Sequence, residues 1–326
     1  MKRIAQGIIA LLFMTVFVSA RGQSQEDEVA VGTNLVSVNV TVTGSNGKSV
    51  SGLKREQFEV FDDNEKQQIA FFSAENAPTT FGIVYDMHPS TVERSTATLR
   101  ALKQFTRTLR TEDDFFIVAF NERGSLSLDF IPTLEQVQTN LPMGQPKGAA
   151  SLYDAVYMAA GKIRESRNPK RALLIISDGL DHNSRSSYRE MRDRIRGFDV
   201  QIYSIRIDDS ANTNRWAFED VTRRTGRRTF EKAETAMGSA ALAELAKASG
   251  GTAYFPEAAG ERELAAICTQ IALELRQQYA IGFYPTDATG GARWHRLRLR
   301  VIPSDESQGR LTLSYREGYQ SFAQRR

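Results

Sequence analysis

Residues 81–90 read Phe-Gly-Ile-Val-Tyr-Asp-Met-His-Pro-Ser, an apolar run that ends in an aspartate, Asp86. A second run, residues 172–179, reads Ala-Leu-Leu-Ile-Ile-Ser-Asp-Gly and ends in the same way at Asp178. Continuous apolar runs of this length are typical of buried parallel strands. In an open α/β sheet, ligand groups collect just beyond the carboxyl ends of such strands. The sequence therefore predicts that Asp86, Ser90 and Asp178 meet at one rim and offer the hard oxygen ligands that Mg²⁺ or Ca²⁺ prefers.

The middle of the chain alternates apolar strands with segments of helical spacing. This alternation over residues 79–277 predicts an α/β fold with a doubly wound, mostly parallel sheet and helices on both faces. Within it, the arginine-rich residues 208–234 are interpreted as a solvated insertion, and the helix that follows is predicted over residues 240–248. The insertion carries little aromatic interleaving, which disfavours a nucleic-acid-binding loop.

The two flanks of this segment are rich in predicted strands. Valines at alternate positions from Val36 to Val42 mark a half-buried strand, and residues 294–301 alternate apolar and charged side chains. Residues 34–76 and 278–326 are each too small to bury an apolar face alone. We therefore expect the two flanks to pair into one composite β-sheet beside the α/β domain.

The first 20 residues have the pattern of a secretory signal peptide. Lys2 and Arg3 precede an apolar stretch over residues 8–18, and the small residues Val18-Ser19-Ala20 offer a cleavage site at or a few residues after Ala20, up to about residue 23. The stretch is short for a membrane span, although an uncleaved anchor is the alternative. Residues 24–33 are predicted to be a linker, and the mature protein is expected to be periplasmic or secreted, without a membrane span.

Composition narrows the classes of function. The chain has 326 residues and a formal charge of +3, which falls to +1 when the signal peptide leaves with its two basic residues and no acid. Such a small charge gives no reason to expect a nucleic-acid partner. The single cysteine, Cys268, excludes an intramolecular disulfide and sits at helical apolar spacing, so we expect it to be a buried small hydrophobe.

The two aspartate-ended strands and the order of elements resemble a von Willebrand factor A (VWA) domain. More narrowly, the chain is similar to the VWFA-related family of Acidobacteria and neighbouring bacteria. The stretches that carry this resemblance are residues 34–38 (Asn-Leu-Val-Ser-Val), 52–63 (Gly-Leu-Lys-Arg-Glu-Gln-Phe-Glu-Val-Phe-Asp-Asp), 151–155 (Ser-Leu-Tyr-Asp-Ala), 177–181 (Ser-Asp-Gly-Leu-Asp) and 315–319 (Tyr-Arg-Glu-Gly-Tyr). The resemblance implies a metal-ion-dependent adhesion site built from an Asp-x-Ser-x-Ser motif, a threonine from a second loop and an aspartate from a third.

This sequence departs from the motif at two of its ligand positions. Asp86, Ser90 and Asp178 match the motif, whereas His88 replaces its first serine and Ala150 replaces its threonine. A hard cation needs about six oxygen ligands, so a degenerate site with much weaker or absent Mg²⁺ binding is expected.

Three interpretations of the altered rim stay open. In the first, His88 fills a vacant site by bonding to a rim aspartate. In the second, the rim keeps a weak Mg²⁺ or Ca²⁺ site. In the third, His88, Asp181 and His182 join the carboxylates and bind Zn²⁺, because imidazole nitrogen suits transition metals.

The sequence favours a binding protein over an enzyme. It contains no Gly-x-Gly-x-x-Gly after the first strand, no Gly-rich phosphate loop and no Gly-x-Ser-x-Gly elbow. A hydrolase that uses Asp86 and Asp178 as an acid/base pair is the less favoured alternative. We expect an exported adhesion or scaffolding protein that contacts a protein or a surface through an exposed tip, Met87, His88 and Pro89. An acidic partner docked on the arginines of residues 296–300 is a further alternative.

Overall fold

The computed structural model describes residues 35–74, 77–87, 92–120, 124–131, 151–207, 227–256, 260–286, 293–303 and 310–321. The predicted signal peptide and linker lie outside the described residues, as do His88, Pro89, Ser90 and Ala150. The strands are β1 (Val36–Thr43), β2 (Phe58–Asp62), β3 (Glu65–Gln67), β4 (Ile69–Ser73), β5 (Thr79–Asp86), β6 (Asp114–Phe120), β7 (Gly124–Ile131), β8 (Lys170–Ser177), β9 (Gln201–Arg206), β10 (Ala253–Tyr254), β11 (Tyr279–Phe283), β12 (Trp294–Val301), β13 (Thr312–Ser314) and β14 (Gly318–Gln320). The helices are α1 (Val92–Thr106), α2 (Leu152–Ile163), α3 (Tyr188–Ile195), α4 (Arg227–Ser249) and α5 (Glu261–Arg276).

A six-stranded sheet forms the centre of the α/β domain, in the order β10-β9-β8-β5-β6-β7. The pairs among β10, β9, β8, β5 and β6 are parallel, and β7 is antiparallel to β6. Counted along the chain, this is the doubly wound order 3-2-1-4-5-6, whose direction reverses between β5 and β8. The predicted mostly parallel sheet is confirmed.

Helices cover both faces of this sheet because its strands are apolar on both sides. On one face, Ile83 of β5 lies in a buried cluster with Leu102 of α1 and Ile271 of α5. On the other face, Val84 packs in a second cluster with residues of α2, α3 and α4, among them Val156. Cys268 of α5 is fully buried in the first cluster, as expected, and burial raises the pKa of its thiol to about 12.

The flanks form two four-stranded antiparallel sheets, with the orders β13-β1-β11-β4 and β14-β12-β2-β3. Val38 and Ile281 of the first sheet share one buried cluster with Val60 and Leu299 of the second, so the two sheets enclose a common core. The expected pairing of the two flanks is confirmed, since β1 pairs with β11 and β2 with β12, but the strands form two sheets rather than one. The chain passes from β3 in one sheet to β4 in the other with only Gln68 between them.

The helix before β10 is longer than the sequence pattern predicted. Residues 227–249 form α4, whereas residues up to 234 were interpreted as an insertion loop. The sequence of residues 227–239 lacks apolar residues at regular helical spacing, so hydrophobic periodicity did not predict a helix there. Its alanine, glutamate, lysine and arginine content nevertheless favours helix on intrinsic propensity.

A buried polar network joins α5 to β1 and β9. The Glu274 carboxylate accepts hydrogen bonds from the Tyr203 hydroxyl at 2.9 Å and the Thr41 hydroxyl at 3.3 Å. The Gln278 amide donates to the same two hydroxyls, at 3.0 Å and 2.9 Å. Burial raises the pKa of Glu274, and the two hydrogen bonds that it accepts offset this only in part. Burial therefore favours the neutral form of Glu274 in the folded protein, while the hydrogen bonds from Tyr203 and Thr41 oppose this shift.

We expect Glu274→Gln to make stability less dependent on pH. Because the folded-state pKa of Glu274 is raised, its contribution is fully present below the ordinary glutamate value of 4.5 and is lost as pH rises through the folded value. The variant cannot ionise, so its melting temperature should increasingly exceed that of the wild type from pH 4 to pH 8. Thermal unfolding across this range tests it, with Glu261→Gln, an exposed position of the same helix, as the control. If the difference in melting temperature between the variant and the wild type became smaller as pH rises, the raised pKa of Glu274 would be contradicted.

Candidate functional site

The predicted rim lies at the carboxyl ends of β5 and β8, the two neighbouring strands between which the strand order of the central sheet reverses. Asp86 is the last residue of β5, and Asp178 directly follows β8, the neighbouring strand. Asp86 is fully buried, and its Oδ2 accepts a hydrogen bond from the Ser177 hydroxyl at 3.0 Å. The two aspartates are therefore held by adjacent strand ends at the switch point, the place where open α/β sheets bind ligands.

The loop that carries Asp178 is fixed by its own hydrogen bonds and by α4. The Gly179 amide donates to the Ser177 hydroxyl at 3.1 Å, and the Leu180 amide donates to Asp178 Oδ1 at 2.9 Å. Gly179 has a φ of +86° and lies against the backbone of Gly238 in α4. Only glycine suits this conformation and this close approach, so the position of Asp178 depends on the crossing of these two glycines.

Asp181 organises the loop between β8 and α3. Its Oδ1 accepts hydrogen bonds from the Tyr153 amide at 3.1 Å and from the Ser184 hydroxyl at 2.6 Å, and its Oδ2 accepts from the Ser184 amide at 3.2 Å. Tyr153 belongs to the first turn of α2, where exposed amides and the helix dipole favour a carboxylate. Oδ1 of Asp181 thus ties the loop to the start of α2, and Oδ2 bonds within the loop itself.

The structure describes only part of the rim residues that the sequence singled out. Met87 is half-buried, and its amide donates to the Phe120 carbonyl at 2.9 Å. His182 is exposed in the loop after β8. Among the described residues, no three of the aspartate and histidine ligand atoms at this rim come within 4.8 Å of one another. The predicted ligands His88 and Ser90 lie outside the described residues.

A second cluster of ligand atoms lies in the β-sandwich formed by the two flanking sheets. The Nδ1 atom of His295 is 3.1 Å from Oδ1 of Asp62 and 3.4 Å from Oδ2 of Asp63. Asp62 ends β2, Asp63 begins the turn to β3 with a φ of +46°, and His295 faces inward from β12. The three ligand atoms lie within 4.8 Å of one another, so this group could bind a metal ion.

Sequence reasoning missed this cluster because Asp62 and His295 are 233 residues apart. The alternation over residues 294–301 predicted the strand β12 but not its partner strand. Only the antiparallel register of β2 with β12, in which Asp62 pairs with Leu297, brings Asp62 and His295 together. A signal was present, since His295 occupies an apolar-facing position of the strand and a buried imidazole needs a polar partner.

Similarity to known proteins is confined to coarse structure. No protein-family model matches this sequence, and no curated protein matches it either. An aerotolerance-related membrane protein from Bacteroides fragilis is similar at 13% identity, with 61% of this chain and 98% of that chain covered and a TM-score of 0.43. The vWF domain of the pilus tip protein Mfa5 from Porphyromonas gingivalis shares 16% identity over 33% of this chain and 40% of that one, with a TM-score of 0.30.

A third similar structure is proximal thread matrix protein 1 from the mussel byssus, with a zinc-occupied MIDAS motif. It shares 11% identity over 64% of this chain and 48% of that chain, with a TM-score of 0.45. Similarity at this level identifies no function for the present chain. The VWA-like character of the fold rests on the strand order and helical layers described above.

Among the helices in the described ranges, none combines the length and the apolarity required to cross a membrane.

Proposed function

We propose that this chain is an exported, non-enzymatic VWA-like protein that binds a protein or a surface through the rim at the carboxyl ends of β5 and β8. The observation that carries the proposal is the position of Asp86 and Asp178 on adjacent strand ends at the switch point. Membership of the VWFA-related bacterial family, with a signal peptide and a periplasmic or secreted location, belongs to the same proposal.

The burial of Asp86 supports binding over catalysis. A carboxylate that acts as a general acid or base must come within hydrogen-bonding reach of the substrate. Asp86 has no exposed surface and accepts the Ser177 hydroxyl, so its carboxylate is not accessible from solvent. An acid/base pair of Asp86 and Asp178 is therefore less favoured than a role in shaping the rim.

The loops that surround this rim supply the contact surface. His182, Asn183 and Arg185 are exposed on the loop after β8, and hydrogen bonds of Asp181 fix the loop to α2. A loop held in one conformation loses little entropy when a partner binds it. In the proposed function the loop acts with the tip at Met87, His88 and Pro89, and the partner is a protein or a surface ligand.

A photo-crosslinking experiment tests where the partner binds. A photoreactive amino acid at Asn183 in the full-length protein, expressed in its native cells, should give a discrete crosslinked product. The same group at Lys66, an exposed position of the β-sandwich, serves as the matched control. Identical products from both positions, or a product only from Lys66, would contradict rim binding.

We expect the degenerate rim to show little response to hard cations. After treatment with EDTA, the melting temperature of the mature chain should change by less than the error of the measurement on addition of millimolar Mg²⁺ or Ca²⁺. A cation at a hundred times its Kd would instead add about 2.7 kcal/mol to the unfolding free energy. A Mg²⁺-dependent increase that Asp178→Ala abolishes would show that the adhesion site works despite His88 and Ala150.

A further inference from the structure

We propose that Asp62, Asp63 and His295 form a zinc site in the β-sandwich. This site is separate from the rim and independent of the proposed function. Its three ligand atoms come from the end of β2, the following turn and the inward face of β12. The His295 side chain is 2% exposed, and its Nδ1 atom faces one oxygen of each aspartate. The two carboxylates bring negative charge next to the buried imidazole nitrogen, and a bound cation would neutralise that charge.

The distances in the cluster suit tetrahedral coordination. Zinc binds imidazole nitrogen and carboxylate oxygen at about 2.0–2.2 Å, so neighbouring ligand atoms in a tetrahedron are about 3.3–3.5 Å apart. The observed separations from Nδ1 are 3.1 Å to Asp62 and 3.4 Å to Asp63. The two separations from Nδ1 therefore fit zinc coordination to within a few tenths of an ångström, and the two aspartate oxygens, which lie within 4.8 Å of each other, complete three positions, with water in the fourth.

The remaining carboxylate atoms are held by neighbouring groups. The Tyr319 hydroxyl donates to Oδ2 of Asp62 at 2.6 Å, and the Arg296 amide donates to Oδ1 of Asp63 at 2.9 Å. In each aspartate these bonds fix one oxygen and leave the other facing His295. Outer hydrogen bonds of this kind orient metal ligands and tune their affinity.

Arg293 makes a further contact with the same cluster. Its guanidinium lies 3.0 Å from Oδ2 of Asp63, the oxygen that also faces His295. A carboxylate oxygen has two lone pairs, so it can accept the guanidinium and bind a metal at once. The positive charge lowers the expected affinity, and Arg293→Gln should therefore bind zinc more tightly than the wild type.

The ligand types favour Zn²⁺ over Mg²⁺ or Ca²⁺, and the exposed turn gives an ion access to the site. Two carboxylates supply too few oxygen ligands for a hard cation, and an imidazole supplies none. Zinc, by contrast, accepts three protein ligands of these types and a water. The Asp63 side chain is 36% exposed, which gives an ion a route from solvent. The same contacts would also suit a proton shared between His295 and Asp62, and the experiment below separates these two cases.

Calorimetric titration of the metal-stripped mature chain with ZnCl₂ tests the proposal. We expect one Zn²⁺ per chain in the wild type and binding at least tenfold weaker in Asp63→Asn. Asparagine tolerates the positive φ of this turn and can still accept the Arg296 amide, so the variant should fold normally. Circular dichroism verifies the fold, and Co²⁺ absorption independently reports a tetrahedral nitrogen and oxygen ligand set.

Two rim variants, Asp178→Ala and His182→Ala, distinguish this site from a zinc site at the rim. Both should bind zinc as the wild type does. If the wild type does not bind zinc, the proposal is overturned, and the cluster serves only to join β2 to β12 by hydrogen bonds. Binding that survives Asp63→Asn but is lost in His182→Ala would also overturn it and place the ion at the rim. Neither result would bear on whether the rim binds a partner.

Discussion

Gly179→Ala should destabilise the protein by about 3 kcal/mol. An alanine at a φ of +86° carries a conformational cost of about 1–2 kcal/mol, and its methyl group would lie 2.6 Å from the carbonyl carbon of Gly238. That carbon belongs to the backbone of α4 and cannot move aside like a side chain. Overpacking of this kind adds about 1–3 kcal/mol, which denaturant unfolding measures directly.

Two glycine-to-alanine controls separate the two terms of this cost. Gly47 has a φ of +74° in open space, so Gly47→Ala carries the conformational term without the overlap. Gly161 lies in α2 with open space around it and no positive φ, so Gly161→Ala should stabilise the helix by about 0.5–1 kcal/mol. A Gly179→Ala cost no larger than that of Gly47→Ala would show that α4 moves away from the loop.

Lys170→Met should cost about 3 kcal/mol. The Lys170 ammonium is fully buried and donates to the carbonyls of Leu275 at 3.0 Å and Arg276 at 3.1 Å. These carbonyls end α5, where the helix dipole favours a cation. Methionine fills a similar volume but removes the donor from both carbonyls; Leu275 keeps the Gln278 amide at 3.4 Å, whereas an acceptor left unsatisfied costs about 1–3 kcal/mol.

Lys66→Met is the matched control for this substitution. Lys66 forms an ion pair with Glu59 at 2.7 Å, but its side chain is 63% exposed. Exposed pairs contribute about 0–1 kcal/mol, so this variant should unfold close to the wild type. If Lys170→Met matched or exceeded the stability of the wild type, the cost of burying the ammonium would outweigh its hydrogen bonds.

The central fold was predictable because its determinants are local. The strand around Ile83 is apolar on both faces, and this pattern reports burial between two layers of helices. The position of Asp86 and Asp178 follows from the same argument, since parallel strands share one carboxyl edge. The degenerate metal site at this edge stays a prediction, because it depends on His88 and Ser90, which lie outside the described residues.

The β-sandwich was less predictable because its pairings join distant parts of the chain. Periodicity shows that Val38 and Val60 are buried, but it does not show that they belong to opposite sheets. The assignment depends on whether β3 or β4 pairs with β2, and only the complete set of strands decides this. The cluster at His295 depends on the same register, which explains why it was missed.

The pairing of β1 with β11 also has a consequence for how the chain acquires its structure. Val38 of β1 lies opposite Ile281, so the first sheet cannot close until almost the whole chain has been synthesised. Local contacts form faster than such distant ones. The α/β segment can therefore fold first, while β1 on its N-terminal side still lacks its partner strands β11 and β13. In that interval β1 presents an unpaired edge, and a chaperone that shields this edge would protect the nascent chain from aggregation.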